Sequence, residues 1–155
     1  MWGSLRALFK PPRPTGPPRT LRAFGPSDQP VTRDGVSREG TGWRIDAREP
    51  RTVRLFEVAS PGLEQCLVTY RARIKSANVQ GRAYLEMWCR FPGRGEFFSK
   101  GIQQTVTGTT DWASSETPFL LKQGQRPDLI KLNLAVEGSG TLWIDGVELL
   151  ATSLQ

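Results

Sequence analysis

The amino-acid sequence predicts an all-β protein: an antiparallel β-sandwich, most simply a jelly roll of about eight strands, preceded by an extended Pro-rich N-terminal arm. Three observations lead there. Several segments alternate apolar and polar residues with period two, the pattern of a half-buried antiparallel strand. No stretch beyond residue 40 sustains a helical period. Gly, Pro and Asp punctuate the chain at the short intervals expected between strands of a sandwich.

The arm comes first. Seven of the twelve prolines fall in the first 30 residues (Pro11, Pro12, Pro14, Pro17, Pro18, Pro26 and Pro30). Proline lacks the N–H that helices and central strands need, so this stretch is expected to be extended. Arg6, Lys10, Arg13, Arg19 and Arg22 are the charged residues of the first 26, with no acid among them. At its tip, Trp2, Leu5 and Phe9 would share one face of a short helix, too short to be stable in water without a surface to bind. Arg6 interrupts the apolar stretch and Pro11-Pro12 follows, so no secretory signal is read there. The expected organisation is an arm over residues 1–37, a sandwich domain over 38–150 and a tail over 151–155.

The strands follow in order. Thr41–Ile45 and Thr52–Val58 are short β-favouring runs. Leu67–Lys75 sets Val68, Tyr70, Ala72 and Ile74 against Thr69, Arg71, Arg73 and Lys75. Arg82–Arg90 sets Ala83, Leu85, Met87 and Cys89 against Tyr84, Glu86, Trp88 and Arg90. Ile102–Val106, Thr117–Leu121, Leu129–Glu137 and Thr141–Leu149 complete the set. Two hairpins suggest themselves. In the first, Ile74 faces Ala83 and Val68 faces Cys89, with Arg71 across from Glu86 and Arg73 across from Tyr84 on the other face. In the second, a Gly138-Ser139-Gly140 loop matches Val136 with Leu142 and Leu134 with Ile144. Lys131, Asn133, Trp143 and Asp145 then share the outward face.

Composition excludes several classes. The chain has 155 residues, 21 Lys+Arg against 15 Asp+Glu, no His and a formal charge of +6. Its length suits one domain. Without His, the usual proton shuttle, His-based triads and most zinc ligand sets are lost. Cys66 and Cys89 fall on one predicted apolar face, diagonal to each other, a poor disulfide geometry; buried reduced thiols are expected. No run approaches the length of a membrane span. No nucleophile motif, phosphate loop or metal-ligand spacing is present, so no catalytic residue, metal or cofactor is expected and the protein is read as not an enzyme. Glu86 and Asp145 are the residual acid–base pair; ion pairing to Arg71 and turn capping are their simpler roles.

Three segments carry a resemblance. Gly-Arg-Ala-Tyr-Leu-Glu-Met-Trp (81–88), Thr-Gly-Thr-Thr-Asp-Trp (107–112) and Gly-Ser-Gly-Thr-Leu-Trp-Ile-Asp-Gly-Val-Glu-Leu (138–149) resemble the carbohydrate-binding-module-like jelly rolls appended to bacterial hydrolases, proteases and regulators. Their usual ending reads Gly-x-Gly-Thr-x-Trp-x-Asp-Asp-Val-x-Leu, and Gly146 stands here for the second Asp. The resemblance spans roughly residues 41–150 and implies the fold, not one function, because such domains bind sugars, dock proteins or act as spacers.

The functional expectation is a non-catalytic accessory or structural subunit, docked through its arm onto a larger assembly that the arm's basic and apolar character would let sit at a membrane surface. Trp2, Leu5, Arg6, Phe9, Lys10, Arg13, Arg19 and Arg22 would make that contact, in a cytoplasmic setting. The alternative is a carbohydrate-binding module whose outward Tyr84, Trp88 and Trp143 stack on sugars while Arg71, Arg73, Glu86, Asn133 and Asp145 bond hydroxyls. A second alternative is nucleic acid along the basic arm, disfavoured because the domain itself is nearly neutral and has no recognition motif.

Overall fold

The computed structural model describes residues 13–154. They form nine strands: β1 (Pro14–Phe24), β2 (Val36–Glu39), β3 (Gly42–Ala47), β4 (Arg51–Ala59), β5 (Cys66–Phe91), β6 (Gly95–Lys100), β7 (Val106–Leu121), β8 (Leu129–Val136) and β9 (Ser139–Leu154). Every pairing is antiparallel. The all-β jelly-roll expectation holds, and among the described residues no helix is long and apolar enough to cross a membrane.

The long strand β5 builds both layers. Its first half, from Cys66, lies between β9 and β7. Its second half, to Phe91, lies between β8 and β6. The layers are therefore β2-β3-β9-β5-β7 and β4-β8-β5-β6, with β1 added beside the C-terminal half of β9. Between the halves, Asn78 (φ 56°) and Gly81 (φ 79°) adopt left-handed backbone conformations, and the ladder registers shift. Asn and Gly tolerate that conformation at little steric cost, so the chain bends out of one layer into the other.

Both expected hairpins are corrected by this geometry. Residues 66–75 and 83–91 do not pair with each other, because the Asn78–Gly81 segment is a bulged corner and not a hairpin turn. Leu85 faces Leu134, and Met87 faces Leu132. Strands β8 and β9 likewise lie in different layers. Arg71 and Arg73 meet Glu148 and Asp145 on β9, not Glu86 and Tyr84. Period two had identified which side chains point inward, and these are correct: Val68, Tyr70, Ile74, Ala83, Leu85, Met87, Cys89, Leu134, Val136, Leu142 and Ile144 all belong to one core. Alternation says nothing about which neighbour completes the ladder.

Strands β1, β2 and β6 escaped the strand reading, and one expected strand begins as a turn. Strand β1 carries Pro14, Pro17 and Pro18, yet pairs with β9 from Leu154 to Val147. Edge strands tolerate proline, since one side of their backbone needs no ladder. Phe24 closes β1 by stacking on Phe56 (ring centroids 4.1 Å apart), which meets Trp43 edge-on at 5.1 Å. Residues 14–24, expected to stand outside the domain, thus pack into it, and Val31 and Thr32 donate backbone hydrogen bonds to the β4 carbonyls of Leu55 and Arg54. Residues 102–105, expected as strand, form a turn before β7.

The three family-like segments converge on the β5 corner. Thr107 donates to the Gly81 carbonyl at 2.6 Å, the Asn78 N–H donates to the Thr109 hydroxyl at 3.0 Å, and Ser76 and Thr110 share a 2.8 Å hydrogen bond. The Gly138–Gly140 turn packs against the same corner.

Tyr70 lies wholly within the core, and its hydroxyl has no partner among the described residues. Burial pushes its pKa far above the ordinary tyrosine value. An unpartnered buried hydroxyl costs about 1–3 kcal/mol of desolvation. Tyr70→Phe is therefore expected to stabilise the fold by about 1 kcal/mol, read as a higher denaturant midpoint at unchanged m-value.

Candidate functional site

The outward face of the β4-β8-β5-β6 layer carries the candidate site. Two rows of side chains cross it. Arg54, Asn133, Glu86 and Lys100 occupy directly opposed positions on β4, β8, β5 and β6; Glu57, Lys131, Trp88 and Phe98 form the next row. Thr52, Val31 and Thr32 wall one end, and the open groove above this face measures about 600 Å³, within the range of ligand-binding clefts.

Trp88 is the half-buried centre of the groove. Its indole Nε1 donates to Glu86 Oε1 at 2.7 Å, and Asn133 Nδ2 donates to the same oxygen at 3.1 Å. Phe98 lies 5.1 Å from Trp88 at a 53° tilt and is 53% exposed. Lys131 Nζ meets Glu96 Oε1 at 2.6 Å. Two buried polar atoms of this face have no partner among the described residues: Asn133 Oδ1 and Arg54 Nε. An unpaired acceptor on the neighbouring strand and an unpaired donor one strand further on lie beside a fixed aromatic ring, a polar floor next to an apolar wall.

The predicted ligand face divides between the two layers. Glu86, Trp88 and Asn133 come together in the groove. Tyr84 is on the same strand face but buried, its hydroxyl donating to Glu137 Oε1 at 2.8 Å and Arg82 lying over its ring. Burial first, then that hydrogen bond, pushes the Tyr84 pKa up to about 12, so it remains a neutral donor. Arg71, Arg73, Trp143 and Asp145 face outward from the opposite layer. There Arg73 grips Asp145 through two hydrogen bonds (2.8 and 2.6 Å), Thr41 adds a third at 2.6 Å, and Arg71 pairs with Glu148 at 2.9 Å. Trp143 lies beneath Lys75 and Arg44 (5.3 and 5.7 Å to the ring centroid) and donates to Glu39. Its ring is engaged by cations. Glu86 and Asp145, separated by the thickness of the sandwich, do not form a pair.

Sequence reasoning missed Arg54 and Glu96 as groove residues, and Phe98 as the ring beside Trp88. Phe97-Phe98 breaks the alternation that would have marked β6, and Arg54 gave no sign of which layer β4 joins. Cys66 and Cys89 are buried free thiols. They sit in different layers rather than across one hairpin, and burial pushes the Cys89 thiol up to about 12. Of the expected docking residues, Trp2, Leu5, Arg6, Phe9 and Lys10 lie outside the described residues. Arg13, Arg19 and Arg22 are exposed, the last two along β1, with Arg22 over the Phe24 ring at 4.8 Å.

The fold is that of a carbohydrate-binding-module-like jelly roll. The CBM22-1 xylan-binding domain from Paenibacillus barcinonensis Xyn10C is similar over 90% of this chain and 98% of that one, with TM-score 0.60 and 11% identity. Family 16 Carbohydrate Binding Module-2 is similar over 81% and 92%, with TM-score 0.54 and 14% identity. The CBM22-1-GH10 modules of Clostridium thermocellum endo-1,4-β-D-xylanase 10B, complexed with xylohexaose, match over 86% of this chain and 28% of that one (TM-score 0.55, 9% identity). At such identities the likeness is one of fold. No protein-family model and no curated protein matches the sequence. The expected docking subunit is overturned by these neighbours, which are carbohydrate-binding modules, and the described part of its arm is a strand of the same sandwich.

Proposed function

We propose that the protein binds a saccharide chain in the groove across β4, β8, β5 and β6, without transforming it. The observation that carries this reading is Trp88, fixed by Glu86 and flanked by Phe98, beside the unpaired Asn133 Oδ1 and Arg54 Nε. Sugar rings present an apolar C–H face that stacks on an aromatic side chain and a rim of hydroxyls that both donate and accept. Glu96 supplies acceptor oxygens at the groove, and Lys131 and the Arg54 guanidinium supply donors. The exposed edge of Phe98 extends the apolar strip toward β6.

The test is calorimetric titration of the full chain with soluble xylan, mannan and β-glucan, xylan first because two of the similar structures are xylan-binding or hold xylohexaose. Trp88→Ala is expected to weaken binding by about 30-fold or more, the effect of losing one central aromatic anchor. Tyr84→Phe and Trp143→Ala are expected to leave affinity within about twofold, because neither side chain lines the groove. Failure of every glycan to bind, or equal weakening by Trp143→Ala, would refute the reading.

A further inference from the structure

Strand β6 is unusual among the nine. Five of its six residues are exposed, including two large aromatics, Phe97 at 51% and Phe98 at 53%. Among the described residues it pairs only with β5, so one backbone edge carries unpaired N–H and C=O groups. Exposed apolar edge strands template pairing with another chain, and proteins ordinarily blunt them.

Glu96, Phe98 and Lys100 lie on one face of β6, opposite Arg90, Trp88 and Glu86 respectively. Consider two copies paired antiparallel about a two-fold axis at Phe98. Phe98 then faces Phe98 of the second copy, and Glu96 faces its Lys100, twice over. A register centred on Phe97 instead would set Arg94 against Lys100, a like-charge pair that destabilises it. Strand β6 is thus self-complementary in one register, as an isologous contact requires. Lys100 holds its Nζ 4.9 Å from the Phe98 ring centroid and makes no ion pair among the described residues, so its charge is free for the second copy.

We propose that the protein forms a homodimer through β6, in the Phe98-centred register. The two β4-β8-β5-β6 layers then form one continuous sheet. The axis stands perpendicular to that sheet, so both grooves open on the same side and their aromatic strips abut as Trp88-Phe98-Phe98-Trp88. This inference stands independently of saccharide binding, because it rests on the edge, exposure and charge order of β6.

Sedimentation of the full chain from micromolar to millimolar concentration should show a monomer–dimer equilibrium. Lys100→Glu and Glu96→Lys each set like charges across the axis and should weaken self-association at least about tenfold. An equimolar mixture of the two variants restores both attractive pairs in a heterodimer, and should recover the lost dimer. A Phe98→Cys variant gives an independent readout. Directly opposed residues of antiparallel strands have Cα separations within disulfide reach, so mild oxidation should give a covalent dimer, while Cys66 and Cys89 are buried. A strictly monomeric protein, a dimer insensitive to Lys100→Glu, a mixture that stays monomeric, or a Phe98→Cys chain that does not cross-link would each overturn the proposal.

Discussion

Gly138→Ala is expected to destabilise the protein by about 3 kcal/mol or more, a cost in the upper range for forcing atoms into a packed interior. A Cβ at Gly138 would overlap the Gln80 carbonyl oxygen, which is backbone and has no rotamer in which to retreat. The reciprocal contact makes the corner stiffer: a Cβ at Gly81 would come within 2.7 Å of the Glu137 carbonyl oxygen. The turn from β8 to β9 and the bend of β5 are thus fitted backbone to backbone, and relief of one requires displacement of the other. Because that corner is where β5 passes from one layer to the next, its loss uncouples the two halves of the core. Gly146→Ala is the matched control. Gly146 has φ 58° and open space around it, so a methyl there costs only the left-handed backbone preference, about 1 kcal/mol. Chemical denaturation of the two variants compares them directly; equal losses would show that the corner is not close-packed.

Asp145→Asn is expected to cost about 2 kcal/mol at neutral pH and to flatten the acid limb of the stability curve. Asp145 is 2% exposed and accepts hydrogen bonds from Arg73 and Thr41. Burial by itself raises its pKa; the Arg73 and Thr41 hydrogen bonds and the Arg73 charge outweigh this and hold the carboxyl below its ordinary value. A fully buried ion pair that loses one partner costs about 3–5 kcal/mol. Arg73 is half exposed and can be rehydrated, so the cost falls below that range, to about 2 kcal/mol. The sign follows from linkage. With the folded pKa below the unfolded value of about 3.9, the stabilisation is present in full above that value and disappears as pH falls through the folded pKa. Wild type should therefore lose stability below about pH 4 more steeply than Asp145→Asn. Asp128 and Glu137 are also held low, chiefly by the Arg90 and Arg82 guanidinium hydrogen bonds, and add to the same acid limb in both proteins. Parallel acid limbs would show that Asp145 is not held below its unfolded pKa.

The site was half legible before the structure. Trp88, Glu86 and Asn133 stood on outward positions of alternating strands, and alternation is a local property of the chain. Tyr84 and Trp143 stood on outward positions by the same rule, yet each is engaged by neighbours brought from distant segments: Glu137 and Arg82 for the first, Glu39, Arg44 and Lys75 for the second. Outward is not the same as free. Phe98 and Arg54 gave no signal, because what qualifies them is the strand beside them.

Local sequence determined the class of fold, the inward and outward faces of β5, β8 and β9, and the extended character of residues 14–24. These follow from the two-residue repeat of a strand and the fixed φ of proline, which need no knowledge of distant residues. Tertiary structure alone decided that Asn78–Gly81 is a corner and not a hairpin turn, that β1 joins the edge of β9, and that the groove and the Arg73–Asp145 face lie on opposite sides. The physical reason is that a strand's two edges offer the same N–H and C=O groups to any neighbour. Which neighbour takes them is settled by how the whole set of apolar faces closes over one core.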